Sequence, residues 1–228
     1  MLATPPPAVH PELVLMLLAD ARLPTSGHTQ SGGLEPALLG GLDPVDLEGY
    51  CRTRLQTVTL TEAGAAVVCR SRAMAGQLTD DVESAWAART PSPAMREASR
   101  TLGRAYRRVV LRLWPTAPAL SELTRVTAPS RPRVLGLVAA ATGLPGDAVA
   151  WLVAYDDLQS VLAASLKLLP GDPVDATARL LALSPEIGGL VDRVAALTEP
   201  DEIPAGSAPL IEAWAESHAT AGRRLFRA

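Results

Sequence analysis

The chain has 228 residues, enough for one large domain or two small ones, and at that size it buries roughly 70% of its unfolded surface without a disulfide or metal staple. With 48% apolar and 20% charged residues it is not a disordered segment, and a net charge of −3 provides no field to attract nucleic acid or an anionic membrane. The two cysteines, Cys51 and Cys69, exclude a disulfide scaffold and a four-cysteine zinc site and suit a reduced, cytoplasmic protein.

Alanine, leucine and arginine, all strong helix formers, dominate the chain, Lys167 is the lone lysine, and aromatics make up 4%. An all-α fold follows: a single compact helical domain of about ten helices over residues 1–228, with a flexible arm at 1–10 and a tail at 222–228 that orders on a partner. Pro11 opens the first helix at a position where its missing N–H costs nothing. That helix runs to about Ala19 and is apolar nearly all round, so burial is expected. A loop from Asp20 to Gly33 follows. Asp43-Pro44 caps a helical pattern reaching about Arg72, with a break expected near Thr57-Val58-Thr59, where β-branched residues cluster. Thr79 caps a short helix through Ala88. Pro91-Ser92-Pro93 turns into a helix that Pro115 stops after Trp114.

The second half repeats this grammar. Ala117 to Val126 is short and helical, and Arg131 to Thr142 ends at Gly143. Ala148 to Leu169 is the longest apolar helix, closed by Pro170-Gly171. Helices at about Val174–Leu183 and Pro185–Leu197 lead into a Pro-rich linker, Glu199 to Pro209. A last helix and a basic end, Arg223 to Ala228, complete the chain. No run is apolar for the 18 or so residues a bilayer requires. No repeat of fixed period suggests a solenoid.

Candidate chemistry is sparse. His10, His28 and His218 lie out of helical reach of one another. Cys51 and Cys69 stand eighteen residues apart, about 27 Å along a continuous helix, and read as buried apolar thiols. No local arrangement supplies a nucleophile with a base. Lys167 has no phosphate-loop context. Asp80-Asp81 and Asp156-Asp157 lack a third aspartate, and caps or solvated faces account for them. Arg96, Arg100, Arg104, Arg107, Arg108 and Arg112 line one side of a helix, either a solvated face or a docking surface for an acidic partner. No catalytic residue, metal ligand or cofactor site is expected. The glycine-rich loop from Leu23 to Glu35 permits positive φ and close backbone approach. It is a shaped loop, for binding or for tight packing.

These residues resemble the urease accessory protein UreF family. Its N-terminal signature, approximately L-P-x-G-G-F-[ST]-x-S-x-G-[LV]-E, is matched at Leu23, Pro24, Gly27, Thr29, Ser31, Gly33, Leu34 and Glu35. Ser26 stands in place of its first glycine and His28 in place of its aromatic. A later signature, a basic residue before P-L-G-Q, is met in part by Lys167 to Asp172, where the glutamine is missing. The family's tail, a His followed by R-L-F, is matched by His218 and Arg224-Leu225-Phe226-Arg227.

The resemblance implies a non-catalytic all-α adaptor. Such an adaptor binds a UreD-type protein (UreH in some organisms) and the GTPase UreG, docks on apo-urease, helps deliver nickel and forms a homodimer. The expected partner-binding residues are Leu23, Pro24, Gly27, His28, Ser31, Gly33, Glu35, Lys167, His218, Arg224, Leu225, Phe226 and Arg227. Phe226, the one phenylalanine, sits two residues from the end, where termini are poorly ordered unless tied down. It is expected to serve a partner rather than the chain's own core, although folding back onto that core is the competing outcome. The alternative is an all-α ligand-binding or regulatory protein unrelated to urease. A DNA-reading regulator would need a helix-turn-helix, and an all-α metalloenzyme would need Glu-x-x-His pairs on facing helices; the sequence offers neither.

Overall fold

The computed structural model describes residues 10–25, 29–222 and 225–226. Eleven α-helices and no strand occur among them. They are α1 (Pro11–Ala19), α2 (Leu34–Leu39), α3 (Leu47–Gln56), α4 (Val58–Met74), α5 (Asp80–Ala88), α6 (Pro93–Leu113), α7 (Arg131–Thr142), α8 (Gly146–Leu168), α9 (Pro173–Ala182), α10 (Ser184–Val194) and α11 (Pro209–Ala219). Proline stands in the first turn of α1, α6, α7, α9, α10 and α11, where its fixed φ favours the helix and no hydrogen bond is lost. Side-chain caps finish several starts: Ser92 accepts from Met95 N–H, Ser130 from Arg133 N–H and Asp172 from Val174 N–H. The expected break between α3 and α4 falls at Thr57, with φ −127° and ψ −89°. It separates Cys51 from Cys69, and both thiols are buried as expected.

The core is built on α4, α7 and α8, which contact one another. Closeness between α4 and α7 depends on Gly136. A Cβ there would overlap the Ala66 carbonyl and stand 2.7 Å from Cys69 Cβ, so only hydrogen fits. The all-round apolar character of α8 is explained by its neighbours: α4, α7, α10, α1, α2, α3 and α9 all contact it. Val149, Leu152, Val153, Leu158, Val161 and Leu162 are all buried on it, each worth roughly 1.5–3 kcal/mol of transfer from water. Around this centre, α6 lies on α7, α11 on α6 and α2, and α10 on α3 and α4.

The first helix departs from expectation. It lies on the outside of α8, so one side alone is covered: Val14 and Leu18 are buried while Leu13 and Met16 are 61% and 68% exposed. Apolar composition all round is therefore not a sign of burial here, because a single contacting helix shields one stripe. None of the described helices is long and apolar enough to cross a membrane. The expected arm at 1–10 falls, apart from His10, outside the described residues.

Candidate functional site

Segments far apart in the chain meet at Glu35. The chain enters α2 through Gly32 and Gly33, with φ of 58° and 76°, a conformation costly for any residue with a Cβ. Space is also limiting: a Cβ on Gly33 would lie 2.8 Å from the Tyr50 hydroxyl, which donates a 2.8 Å hydrogen bond to the Gly32 carbonyl. The backbone N–H of Glu35 donates to Ser31 Oγ at 3.4 Å. This turn places the Glu35 carboxylate in the interior, where it accepts the backbone N–H groups of Leu225 at 2.7 Å and Phe226 at 2.8 Å. Bonds from N–H to an ionised carboxylate are about twice as strong as neutral ones.

The tail thus docks on the chain's own loop. Phe226 is 4% exposed and belongs to the core. Lys167, in the last turn of α8, holds its ammonium 5.2 Å from the centre of the Phe226 ring, within cation–π range. His218 Nε2 stands 3.4 Å from the Phe226 carbonyl and 3.7 Å from Glu35 Oε2. Both neighbours are acceptors, so the Nε2 that faces them carries a proton.

Phe226 therefore corrects the sequence expectation: its ring serves the chain's own interior, because Glu35 ties down the backbone that carries it. Leu225, by contrast, stays 64% exposed. Ser31, Gly33, Glu35, Lys167, His218, Leu225 and Phe226 come together. Leu23 and Pro24 do not join them: Leu23 rests half-buried on the core, and the exposed Pro24 accepts a 3.3 Å hydrogen bond through its carbonyl from Arg108 of α6. Gly27, His28, Arg224 and Arg227 lie outside the described residues.

Beside this junction lies a half-enclosed cavity of about 470 Å³, bounded by α6, α11 and the glycine loop. Its floor carries a buried ion network that the sequence did not reveal. The Arg54 guanidinium meets the Asp157 carboxylate with two hydrogen bonds, at 2.9 and 2.5 Å, and the Thr59 hydroxyl adds a third at 2.6 Å. Arg131 pairs with Glu62 at 2.6 Å and Asp156 at 2.8 Å. The expectation that Asp156-Asp157 lies on a solvated face is wrong, because both carboxylates turn toward arginines of other helices. Burial pushes the Asp157 carboxyl up, but Arg54, Arg131 and the Thr59 hydroxyl outweigh it, and the group sits below the ordinary carboxylate value. Asp156 moves the other way: burial raises it, and Asp157 and Glu62 add repulsion that Arg131 does not cancel.

Among the described residues nearby, neither Cys51 nor Tyr50 is prepared for nucleophilic work. Burial pushes the Cys51 thiol and the Tyr50 hydroxyl each up to about 12. Among the described residues no group of three or more His, Cys, Asp or Glu is arranged to hold a metal ion. The α6 arginines are largely engaged within the molecule: Arg96 donates to the Thr90 and Pro91 carbonyls, Arg107 to the Leu123 carbonyl, and Arg104 pairs with Glu97.

Comparison with known proteins gives the family. The UreF family matches residues 42–184, more than half of the chain. A urease accessory protein UreF from Mycobacterium sp. (strain JLS) is 36% identical over 216 residues, covering 93% of this chain and 96% of the relative. Proteins of the same name from Mycolicibacterium vanbaalenii and Mycobacterium tuberculosis are each 34% identical, over 93% of this chain and 96% and 97% of their own lengths.

Proposed function

From the premise that this chain belongs to the urease accessory protein UreF family, with a role in urease maturation, we propose that it acts as a non-catalytic cytoplasmic adaptor. It binds a UreD/UreH-type accessory protein and the GTPase UreG, and that assembly helps deliver nickel into apo-urease. The observation that carries this reading is likeness over nearly the full length of both chains, 93% of this one and 96% of the relative. The site geometry supports it. The loop, Lys167 and the tail, three segments with the family's signatures, form one junction, and its outward side offers exposed Leu225 and Lys167. The chain works as a homodimer, and nickel is cargo of the assembly rather than a resident cofactor of this protein.

Co-expression with a UreD-type protein, UreG and apo-urease tests the reading. Stable co-purification and a nickel-dependent rise in urease activity that needs this chain are expected. Full activation of urease in its absence, or no capture of either accessory protein, refutes it.

A further inference from the structure

The geometry points to a docking stripe on α6 for an extended acidic peptide segment with carboxylates on alternate residues. The proposal rests on charge and spacing and does not depend on the urease reading. Charge is unevenly spread along the chain. Residues 98–146 contain eight arginines and one acid, Glu122, although the whole chain carries a net −3. Glu122 is already engaged, facing Arg133 and Thr79, and Arg131 and Arg133 are interior. Arg104, Arg108 and Arg112 are exposed. They stand four residues apart, on the side of α6 opposite its buried Gly103, Tyr106 and Val110. Among the described residues no carboxylate pairs with Arg108 or Arg112, and Arg108 donates only to the neutral Pro24 carbonyl. Arg104 reaches back to Glu97 and keeps 41% of its side chain exposed. Like charges four residues apart on a helix repel. The helix dipole offsets this only in the last turn, where Arg112 stands and Arg104 and Arg108 do not. The free chain thus carries repulsion along this stripe that a row of carboxylates would relieve.

Spacing selects the form of the partner. Residues four apart on a helix are separated by a rise of about 6 Å. Side chains on one face of an extended strand repeat every 6.6 Å or about that. Carboxylates at alternate positions of an extended segment therefore meet Arg104, Arg108 and Arg112 in turn. Each guanidinium has five N–H donors, enough to grip a carboxylate at two points beside the contacts it already makes. A phosphate backbone fits less well. Tyr106, the aromatic residue of α6, is buried, so the helix offers no ring for base stacking. Leu113, next to Arg112 and 49% exposed, instead adds an apolar contact suited to a protein segment.

Fluorescence anisotropy of a labelled, capped Glu-Ala-Glu-Ala-Glu-Leu peptide titrated with the full chain tests this. Saturable binding is expected at about 10 mM ionic strength, where the Debye length is about 30 Å, and should weaken at least about fivefold at about 0.15 M, where it is about 8 Å. The Gln-Ala-Gln-Ala-Gln-Leu analogue should not bind. Glu-Glu-Glu-Ala-Ala-Leu, with the same charge in the wrong spacing, should bind at least about threefold more weakly. Arg108→Gln with Arg112→Gln should weaken the first peptide at least about tenfold without lowering the melting temperature. Arg52→Gln, at an exposed arginine of α3, should change nothing. Arg108→Glu with Arg112→Glu should switch the preference to Lys-Ala-Lys-Ala-Lys-Leu. Equal binding of the two acidic peptides, or unchanged binding to the double Gln variant, overturns the proposal. So does a uridine hexanucleotide that binds more tightly than the peptide, which makes the stripe a nucleic-acid contact. Light scattering in which the double Gln variant alone turns a dimer into a monomer places a second copy there and overturns it as well.

Discussion

Asp156 and Asp157 are neighbours in sequence with opposite electrostatic situations, and this makes them separable by mutation. Asp157 is 6% exposed and is the carboxylate partner of a fully interior Arg54. Asp157→Asn leaves that guanidinium without a counter-charge, and a loss of about 3–5 kcal/mol is expected in urea unfolding. Asp156 keeps 26% of its side chain exposed, and Arg131 retains Glu62 when Asp156 is gone. Asp156→Asn should therefore leave stability at pH 7 unchanged or raise it by up to about 1 kcal/mol.

The pH dependence separates the two carboxylates again. Asp157 has a depressed folded value, so its contribution is present above the unfolded carboxylate value of about 3.9 and disappears as pH falls through the folded one. Asp156 has a raised folded value. Between the unfolded and folded values the native state binds more protons, so acidification there adds stability. Unfolding of the wild type and Asp156→Asn across pH 4–7 should show curves that converge as pH falls. A constant gap would remove Asp156 from the account.

For the helices, the tightest constraint is the crossing of α4 and α7. Gly136→Ala drives a methyl group into the Ala66 carbonyl, and overpacking of this kind costs about 1–3 kcal/mol, measurable as a lower melting temperature. Tail docking gives a second expectation. Phe226→Ala should destabilise the chain by about 3 kcal/mol, the lower end for a core Phe because a terminal segment can relax. Leu225→Ala should leave the melting temperature unchanged while weakening capture of the UreD-type partner about tenfold. Loss of partner binding on Phe226→Ala with unchanged stability would return the ring to the role that the sequence alone suggested. The helices themselves were legible because proline, serine and glycine punctuate them. Pro93, Pro173 and Pro209 mark starts, and Gly143, with φ 77°, marks a stop. What the sequence did not disclose is which arginines turn inward. Arg131 and Arg133 are 4% and 3% exposed, and they face Glu62, Asp156 and Asp80. Those partners lie 25 to 69 positions away, and no local pattern encodes such a distance.

Across the whole molecule, the apolar residues that look surplus divide into two sets. Those of α8 are absorbed by seven surrounding helices. Those of α9 are absorbed only in part: Ala176 and Leu180 rest half-buried on the core, but Val174 and Leu181 are 71% and 69% exposed. An apolar pair left uncovered in one copy suits a contact between copies. Light scattering at tens of micromolar should find the dimer, and Val174→Glu with Leu181→Glu should yield a folded monomer. A monomeric wild type would count against the homodimer. The candidate site was half legible. The family signatures named Glu35, Lys167, His218 and Phe226, but a one-dimensional reading placed Phe226 on a partner. The carboxylate that anchors it lies 191 positions earlier in the chain.

That separation has a consequence for synthesis. Glu35 leaves the ribosome 190 positions ahead of the first N–H group it requires. All eleven helices among the described residues are made before that group, so the glycine loop reaches its final state only after them. Long-range closure of this kind comes late because the entropy of a large loop must be overcome first. A chain cut just before Leu225 would thus keep every one of those helices, yet with an interior carboxylate lacking its donors. Quality control that senses exposed or unsatisfied interior groups would have a means of telling a copy that carries the docked segment from one that lacks it.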